Sequence, residues 1–379
     1  MNNPGVRRPA ASSSAAIHQV LAGYADGDAI SQQALLLRRI FRDWGYASDI
    51  YAESAHVSPS LQGDCRPLRD YAGRAGDICM HHFGIDSPAA AVFRATPAHK
   101  IMIYHNITPA DYFVGFDDGV AAQLQAAREN LRATAQQADQ VWAVSQFNAT
   151  ELTALGLENV KIFRLMLAPE TLAIAPDPRI LGRLAGPLQN ILFVGRIAPN
   201  KRLEDLILAF ACYNKAINPY SRLIIVGSKR SAPRYYTMLR LLVGDLVIPN
   251  VCFEGFAAPA GRAAYYRLAD LFISPSEHEG YCLPLLEAMH YDVPVIARQA
   301  GGMPEALQGA GIMYDGLAPE ELAELMHLAL SDAALRATVR RSQEERMRQI
   351  SQRAAAAELQ TLLAEYLPAT GVHQIRTKP

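Results

Sequence analysis

Two carboxylates and two cations stand out by type and spacing. In Ser276-Glu277-His278-Glu279-Gly280-Tyr281-Cys282-Leu283-Pro284-Leu285-Leu286-Glu287-Ala288-Met289, the acids Glu279 and Glu287 lie eight positions apart. The segment follows the apolar run Leu271–Ser274 and opens a helical pattern, with Gly280 allowing a tight turn and Pro284 suited to the first helical position. The backbone N–H groups of Tyr281, Cys282 and Leu283 would then be free at a helix N-terminus, which suits an anion such as a diphosphate. Glu287, in the first turn of that helix, could accept from the two vicinal hydroxyls of a ribose. Glu279, in the turn itself, would face what the diphosphate carries. A second segment, Phe193-Val194-Gly195-Arg196-Ile197-Ala198-Pro199-Asn200-Lys201-Arg202, ends an apolar run at Gly195. Arg196 can grip phosphate oxygens bidentately, and Lys201 adds a point charge.

Positioning these groups at one edge requires strands in series. Short apolar runs alternate with helical patterns: Ile17–Ala22, helix Ile30–Trp44, then runs at 48–52, 77–81, 100–105 and 140–145, with a helix over 120–138. The rhythm stops over 168–189, where Ala168-Pro169, Pro176, Pro178 and Gly186-Pro187 break regular structure. It restarts with runs at 190–194, 222–226, 251–253, 271–274 and 294–297. This predicts an α/β chain of two doubly wound parallel-sheet domains, 17–167 and 190–350, facing a central cleft at the C-terminal strand edges. Residues 1–16 read as a disordered tail and not a signal peptide, 168–189 as a linker, and 351–379 as a C-terminal helix that could return to the first domain. The stretch 319–367 reads as helical throughout, with Arg336, Arg340, Arg341, Arg346 and Arg348 as a solvated face.

Composition excludes several classes. With 36 basic and 37 acidic residues the net charge is −1, which argues against a nucleic-acid binder. Five widely spaced cysteines form neither a disulfide framework nor a zinc site, and no apolar run is long enough to span a bilayer. Both features point to a cytoplasmic location. Asn148-Ala149-Thr150 spells a glycosylation sequon, read as chance.

The two motif segments resemble the donor-binding half of the large retaining glycosyltransferase family numbered 4, whose E-x7-E pair is spaced as Glu279 and Glu287 are. In that family an Arg and a Lys after the first strand of the second domain bind the leaving diphosphate, as Arg196 and Lys201 would. The loop Gly301-Gly302-Met303-Pro304-Glu305 also resembles a family loop near the donor. The likeness runs from about residue 190 to 307, roughly a third of the chain. It implies a GT-B fold, two Rossmann-like domains, and a retaining hexosyltransferase using a nucleotide-diphosphate sugar, with no cofactor and no metal. Cys282 departs from the family, which usually has Gly there. The wording around it resembles bacterial surface-polysaccharide mannosyltransferases, which implies GDP-mannose first and a UDP-sugar next. The acceptor would be a glycan or a lipid-linked sugar in cell-surface polysaccharide synthesis. The helix bearing Arg38, Arg39 and Arg42 could then touch the inner face of the membrane, though solvated arginines are the commoner case.

The N-terminal half resembles the family less. The resemblance implies a donor-sugar contact for His105, at a strand end in Ile103-Tyr104-His105-Asn106, and a donor-side role for Gly27 in the first strand–helix loop. For His81 and His82 the reading as satisfied core histidines prevails. Asp26-Gly27-Asp28 spells a D-x-D metal motif, but Asp-Gly is a common turn pair. Two rival functions remain open: a nucleotide-sugar epimerase or phosphorylase on the same fold, and a non-catalytic carbohydrate-binding protein that kept the scaffold.

Overall fold

The computed structural model describes residues 15–167, 172–350 and 352–367. The tail expected over 1–16 lies outside them as far as residue 14, whereas Ala16 already bridges to Ala47. Of the linker expected over 168–189, residues 168–171 also lie outside. The remainder contains a helix, Pro178–Leu184, and its last residue opens a strand.

Every strand pair is parallel. The first sheet contains β1 (Ile17–Leu21), β2 (Ile50–Ala52), β3 (Arg66–Pro67), β4 (Ile78–Phe83), β5 (His99–Tyr104), β6 (Gln140–Ala143) and β7 (Lys161–Ile162), in the order β3-β2-β1-β4-β5-β6-β7. The second contains β8 (Gln189–Val194), β9 (Ser221–Val226), β10 (Val251–Gly255), β11 (Leu271–Ser274), β12 (Val295–Arg298) and β13 (Ile312–Tyr314), in the order β10-β9-β8-β11-β12-β13. Each is the doubly wound order, with its chain reversal between β1 and β4 and between β8 and β11. β4, β11 and the inner parts of β5 and β8 are buried on both faces, because helices cover both sides of each sheet.

Local chemistry sets the helix ends nearest the cleft. Asp28 caps the helix Ala29–Asp43 by accepting from Ser31 N and Oγ at 2.9 Å each, and Gly45, at φ +88°, follows its end. Leu36, Leu37, Ile40 and Phe41 form its buried stripe, while Leu35 is 42% exposed. The arginines of this helix are not a free basic face: Arg38 is buried on Asp64 at 2.8 Å and Arg42 pairs with Asp49 at 3.0 Å.

The stretch 319–367 is three helices, not one: Pro319–Ser331, Ala333–Gln349 and Gln352–Leu363. Asp332 breaks the first from the second and caps the second through Ala334 N and Leu335 N. Arg346 departs from the expected solvated face. It is buried and donates to the carbonyls of Ala306 and Glu305 and to Gln308 Oε1, closing the C-terminal end of the helix Met303–Leu307. The last helix leads to residues that meet the first sheet, with Gln140 Nε2 donating to Glu365 Oε2 at 2.7 Å and Arg164 facing Glu358 at 3.9 Å. No helix among the described residues is long and apolar enough to cross a membrane.

Candidate active site

The loops after β8, β11 and β12 meet one another, and the β11 turn meets the loop after β5. Two bonds tie the β8 and β11 loops together: Glu277 N donates to Asn200 O, and Asn200 Nδ2 donates to His278 O, each at 3.0 Å. That tie brings Lys201 onto Glu279, although 78 residues separate them. Lys201 Nζ donates to Glu279 Oε1, and the two side chains are only 11% and 15% exposed. Burial alone would push the Glu279 carboxyl up. The Lys201 charge, with hydrogen bonds from Lys201, Ser276 and Cys282, outweighs it and holds the group below the ordinary carboxylate value. Glu279 is therefore an anion at neutral pH.

Arg196 stands apart. It is exposed, directly follows Gly195 at the end of β8, and makes no hydrogen bond or ion pair with any described residue. A guanidinium in that state has its full set of donors available to a ligand.

Close approach explains two glycines. A Cβ on Gly280 would lie 2.8 Å from His105 O and 2.9 Å from Asn106 Cβ, so this turn presses against the first domain. Gly301, at φ +57°, would put a Cβ 2.3 Å from Glu279 O, and its neighbour Gly302 donates N–H to the same oxygen at 2.8 Å. The Gly301-Gly302 loop thus sets the backbone of Glu279. Glu305, two residues after Met303, accepts from Gln146 N at the start of the helix Gln146–Ala154 and pairs with Arg164 at 3.0 Å, linking the two halves.

The helix after this turn is Leu283–His290, so Pro284 is its second residue and not its first, and Glu287 is its fifth and belongs to the second turn. The cause is Cys282, which sits at φ 73°, ψ 71° as the residue before the helix. A left-handed residue there is natural for Gly and strained for Cys by about 1–2 kcal/mol. The backbone N–H groups of Tyr281, Cys282 and Leu283 bond to no described residue, and all three side chains are buried. Glu287 is also buried. One of its oxygens accepts from Tyr266 OH at 2.8 Å, and the other lies 3.8 Å from Arg262. A ribose at this carboxylate would share it with Tyr266. Gly27 lies in the first loop of the N-terminal half against Phe256 and Arg262 of the other half.

His105 follows β5, and its backbone carbonyl meets the Gly280 turn. Its ring lies nearly coplanar with that of His82 and end to end with it, centroids 5.0 Å apart and nitrogens 2.8 Å apart. Burial pushes the His105 imidazole down to about 3 and that of His82 well below its usual value, so both are neutral. His82, read from sequence as a core histidine, is therefore the direct neighbour of His105. Its bond is invisible locally, because 23 residues separate the pair. His81 points to the other side, bonding Val20 O at 3.1 Å between Phe83 and Phe93. Asp28 is occupied as a helix cap and Asp26 takes the Ser60 hydroxyl, so the D-x-D residues serve the loop itself. Asn148 is buried and bonded to Tyr104 O and Asn106, out of reach of a modifying enzyme.

Residues 184–348 match the family model described as glycosyl transferases group 1. The chain is 37% identical over 157 residues to a D-inositol 3-phosphate glycosyltransferase of Segniliparus rotundus, covering 39% of this chain and 34% of that protein. It is 37% identical over 110 residues to a GDP-mannose-dependent alpha-mannosyltransferase of Mycolicibacterium smegmatis, covering 29% and 25%. The chain therefore matches about a third or less of the length of these two relatives. Its fold is similar to that of Anabaena HepE, solved in complex with UDP and glucose, at a TM-score of 0.71 and 19% identity over 92% of this chain and all of the other. The architecture is thus the GT-B fold.

Proposed function

From the glycosyl transferases group 1 domain over residues 184–348, we propose that the whole chain is a retaining hexosyltransferase. It moves mannose from GDP-mannose to a glycan or lipid-linked acceptor, in cell-surface polysaccharide synthesis. The observation that carries the reading is the cationic edge of the second sheet. Arg196 is unpartnered among the described residues, and Lys201, five residues on after the same strand, is held by an ionised Glu279. The mannosyltransferase relative supports the donor.

In the reaction the C1–O bond to the diphosphate breaks and a C1–O bond to the acceptor forms on the same face. The acceptor's proton passes to the departing phosphate oxygen. Negative charge grows on the diphosphate, and Arg196, Lys201 and the free amides of Tyr281, Cys282 and Leu283 stabilise it. Such preorganised groups cost no reorganisation as the charge develops. Glu279 orients the sugar and is not a covalent nucleophile. His105 meets the sugar from the other domain, Glu287 the ribose, and Gly195, Gly280 and Gly27 let backbone approach the donor. The chain works in the cytoplasm, with its acceptor at the inner face of the membrane.

The test is thermal-shift screening against GDP-, UDP- and ADP-sugars, followed by turnover with mannoside acceptors. Preferential stabilisation by GDP-mannose and release of GDP only when acceptor is present are expected. Donor conversion to an isomer without acceptor would instead identify an epimerase.

A further inference from the structure

A line of polar side chains runs from β1 through β4 to His105, the residue after β5, whose backbone meets the Gly280 turn of the second domain. Gln19 in β1 is fully buried, and its Nε2 donates to the carbonyl of Ala34 at 2.8 Å. Gln19 Oε1 lies 2.9 Å from His82 Nε2. His82 Nδ1 lies 2.8 Å from His105 Nε2. His105 Nδ1 bonds to no described residue, and its ring is half-buried.

The sense of this line follows from its inner end. A backbone carbonyl only accepts, so the Gln19 nitrogen must face Ala34 and its oxygen must face His82. His82 then donates from Nε2. A neutral imidazole has one N–H, so His82 Nδ1 accepts and His105 donates from Nε2. His105 Nδ1 is left with a lone pair and no proton. The opposite order has a fault at each joint. A lone pair on His82 Nε2 would face the Gln19 oxygen, and turning the amide to correct this would set that oxygen against the Ala34 carbonyl.

We propose that Gln19 and His82 are positioning residues that lock His105 in its Nε2–H tautomer, so that Nδ1 meets the cleft only as a hydrogen-bond acceptor and selects a hydroxyl of the bound ligand. Under the function proposed above, which supplies the ligand but not the tautomer, that hydroxyl belongs to the donor sugar. Phosphate and carbonyl oxygens offer no proton and are turned away from this position. The neutral state of both rings agrees with the assignment.

The test needs no substrate at its first step. Ring ¹H–¹⁵N correlation spectra of the labelled full chain report which nitrogen of each histidine is protonated, with a His105→Gln spectrum giving the assignment. Protonated Nε2 and bare Nδ1 are expected on both His82 and His105. A protonated His105 Nδ1 overturns the proposal, whatever the variants do. Gln19→Leu should mix the tautomers and lower kcat/KM for GDP-mannose about tenfold, the loss of one good hydrogen bond. In Gln19→Glu the buried side chain is the neutral acid, which donates its proton to the Ala34 carbonyl and accepts from His82 Nε2–H, and should retain the wild-type ring pattern. A wild-type pattern in Gln19→Leu overturns the lock. The expected pattern in a protein that turns over no nucleotide sugar upholds the lock and sinks the transferase reading alone.

Discussion

Removing the ammonium of Lys201 leaves the Glu279 carboxylate nearly enclosed without its only ion-pair partner among the described residues. At an effective dielectric of 20, two unit charges in contact attract by about 4 kcal/mol. Desolvating both charges costs several kcal/mol per ion, so the intact pair has a net worth near zero while breaking it costs about 3–5 kcal/mol. Glu279 keeps its bonds from Ser276 and Cys282, which places Lys201→Met near the low end, about 3 kcal/mol. Glu279→Gln retains an amide oxygen for Lys201 and should cost less, about 2 kcal/mol. The double variant loses both charges and should fall short of the sum by about 2 kcal/mol, the coupling energy of the pair. Urea unfolding of the four proteins at constant m measures it. The pH sign is fixed as well. The folded Glu279 value is depressed, so the contribution is present above the unfolded value and lost as pH falls through the folded one. Coupling should therefore be full near neutrality and decline below about pH 4.3. A coupling under about 0.5 kcal/mol at neutral pH, or one indifferent to acid, would refute the reasoning.

Arg196→Ala removes an exposed side chain with no described partner, so stability should stay within about 0.5 kcal/mol, while kcat drops by about 10²–10³. Urea curves and steady-state rates on one preparation decide this, and an unchanged kcat would contradict the assigned role. Gly301→Ala places a Cβ against the Glu279 backbone in a left-handed conformation. It should destabilise by about 3 kcal/mol and abolish transfer. A stable, active variant would show that the loop yields without disturbing Glu279. His81 is fully buried and its pKa is pushed down by burial to about 4. Between that value and about 6.5 the unfolded chain binds the extra proton, so stability falls with acidification by up to about 1.4 kcal/mol per pH unit. His81→Phe should flatten the Tm–pH profile over that window, and parallel profiles would refute the cause.

Groups whose chemistry and spacing are local were legible without coordinates. Arg196 and Lys201 follow one strand, and Glu279 and Glu287 flank one helix start, so residue type and short separation were enough. Groups joined across the sheet were not. Gln19 and His82 lie 63 residues apart, and Gln19 in a buried strand gives no periodic sign of its partner. Arg346 looks like its solvated neighbours in composition, but the open end of the helix Met303–Leu307 draws it inward. Glu287 fell in the wrong turn because the helix start depends on a left-handed Cys282, a conformation that Cys seldom adopts. The strands Arg66–Pro67, Lys161–Ile162 and Ile312–Tyr314 escaped notice because two or three residues carry no usable alternation. The two sheets were visible because their inner strands are continuous apolar runs, as burial on both faces requires.

Transfer with retention at the Arg196, Lys201 and Glu279 edge, the function proposed above, is read from its products. The most direct measurement follows purified full chain with GDP-mannose and a panel of mannoside acceptors by NMR in one tube, reading GDP release and the anomeric signal of the product together. GDP formation matched to an α-linked mannoside, slowed about 10²–10³-fold in Arg196→Ala, is the predicted result. A β-linked product, or donor that binds yet is never consumed with any acceptor, would contradict it.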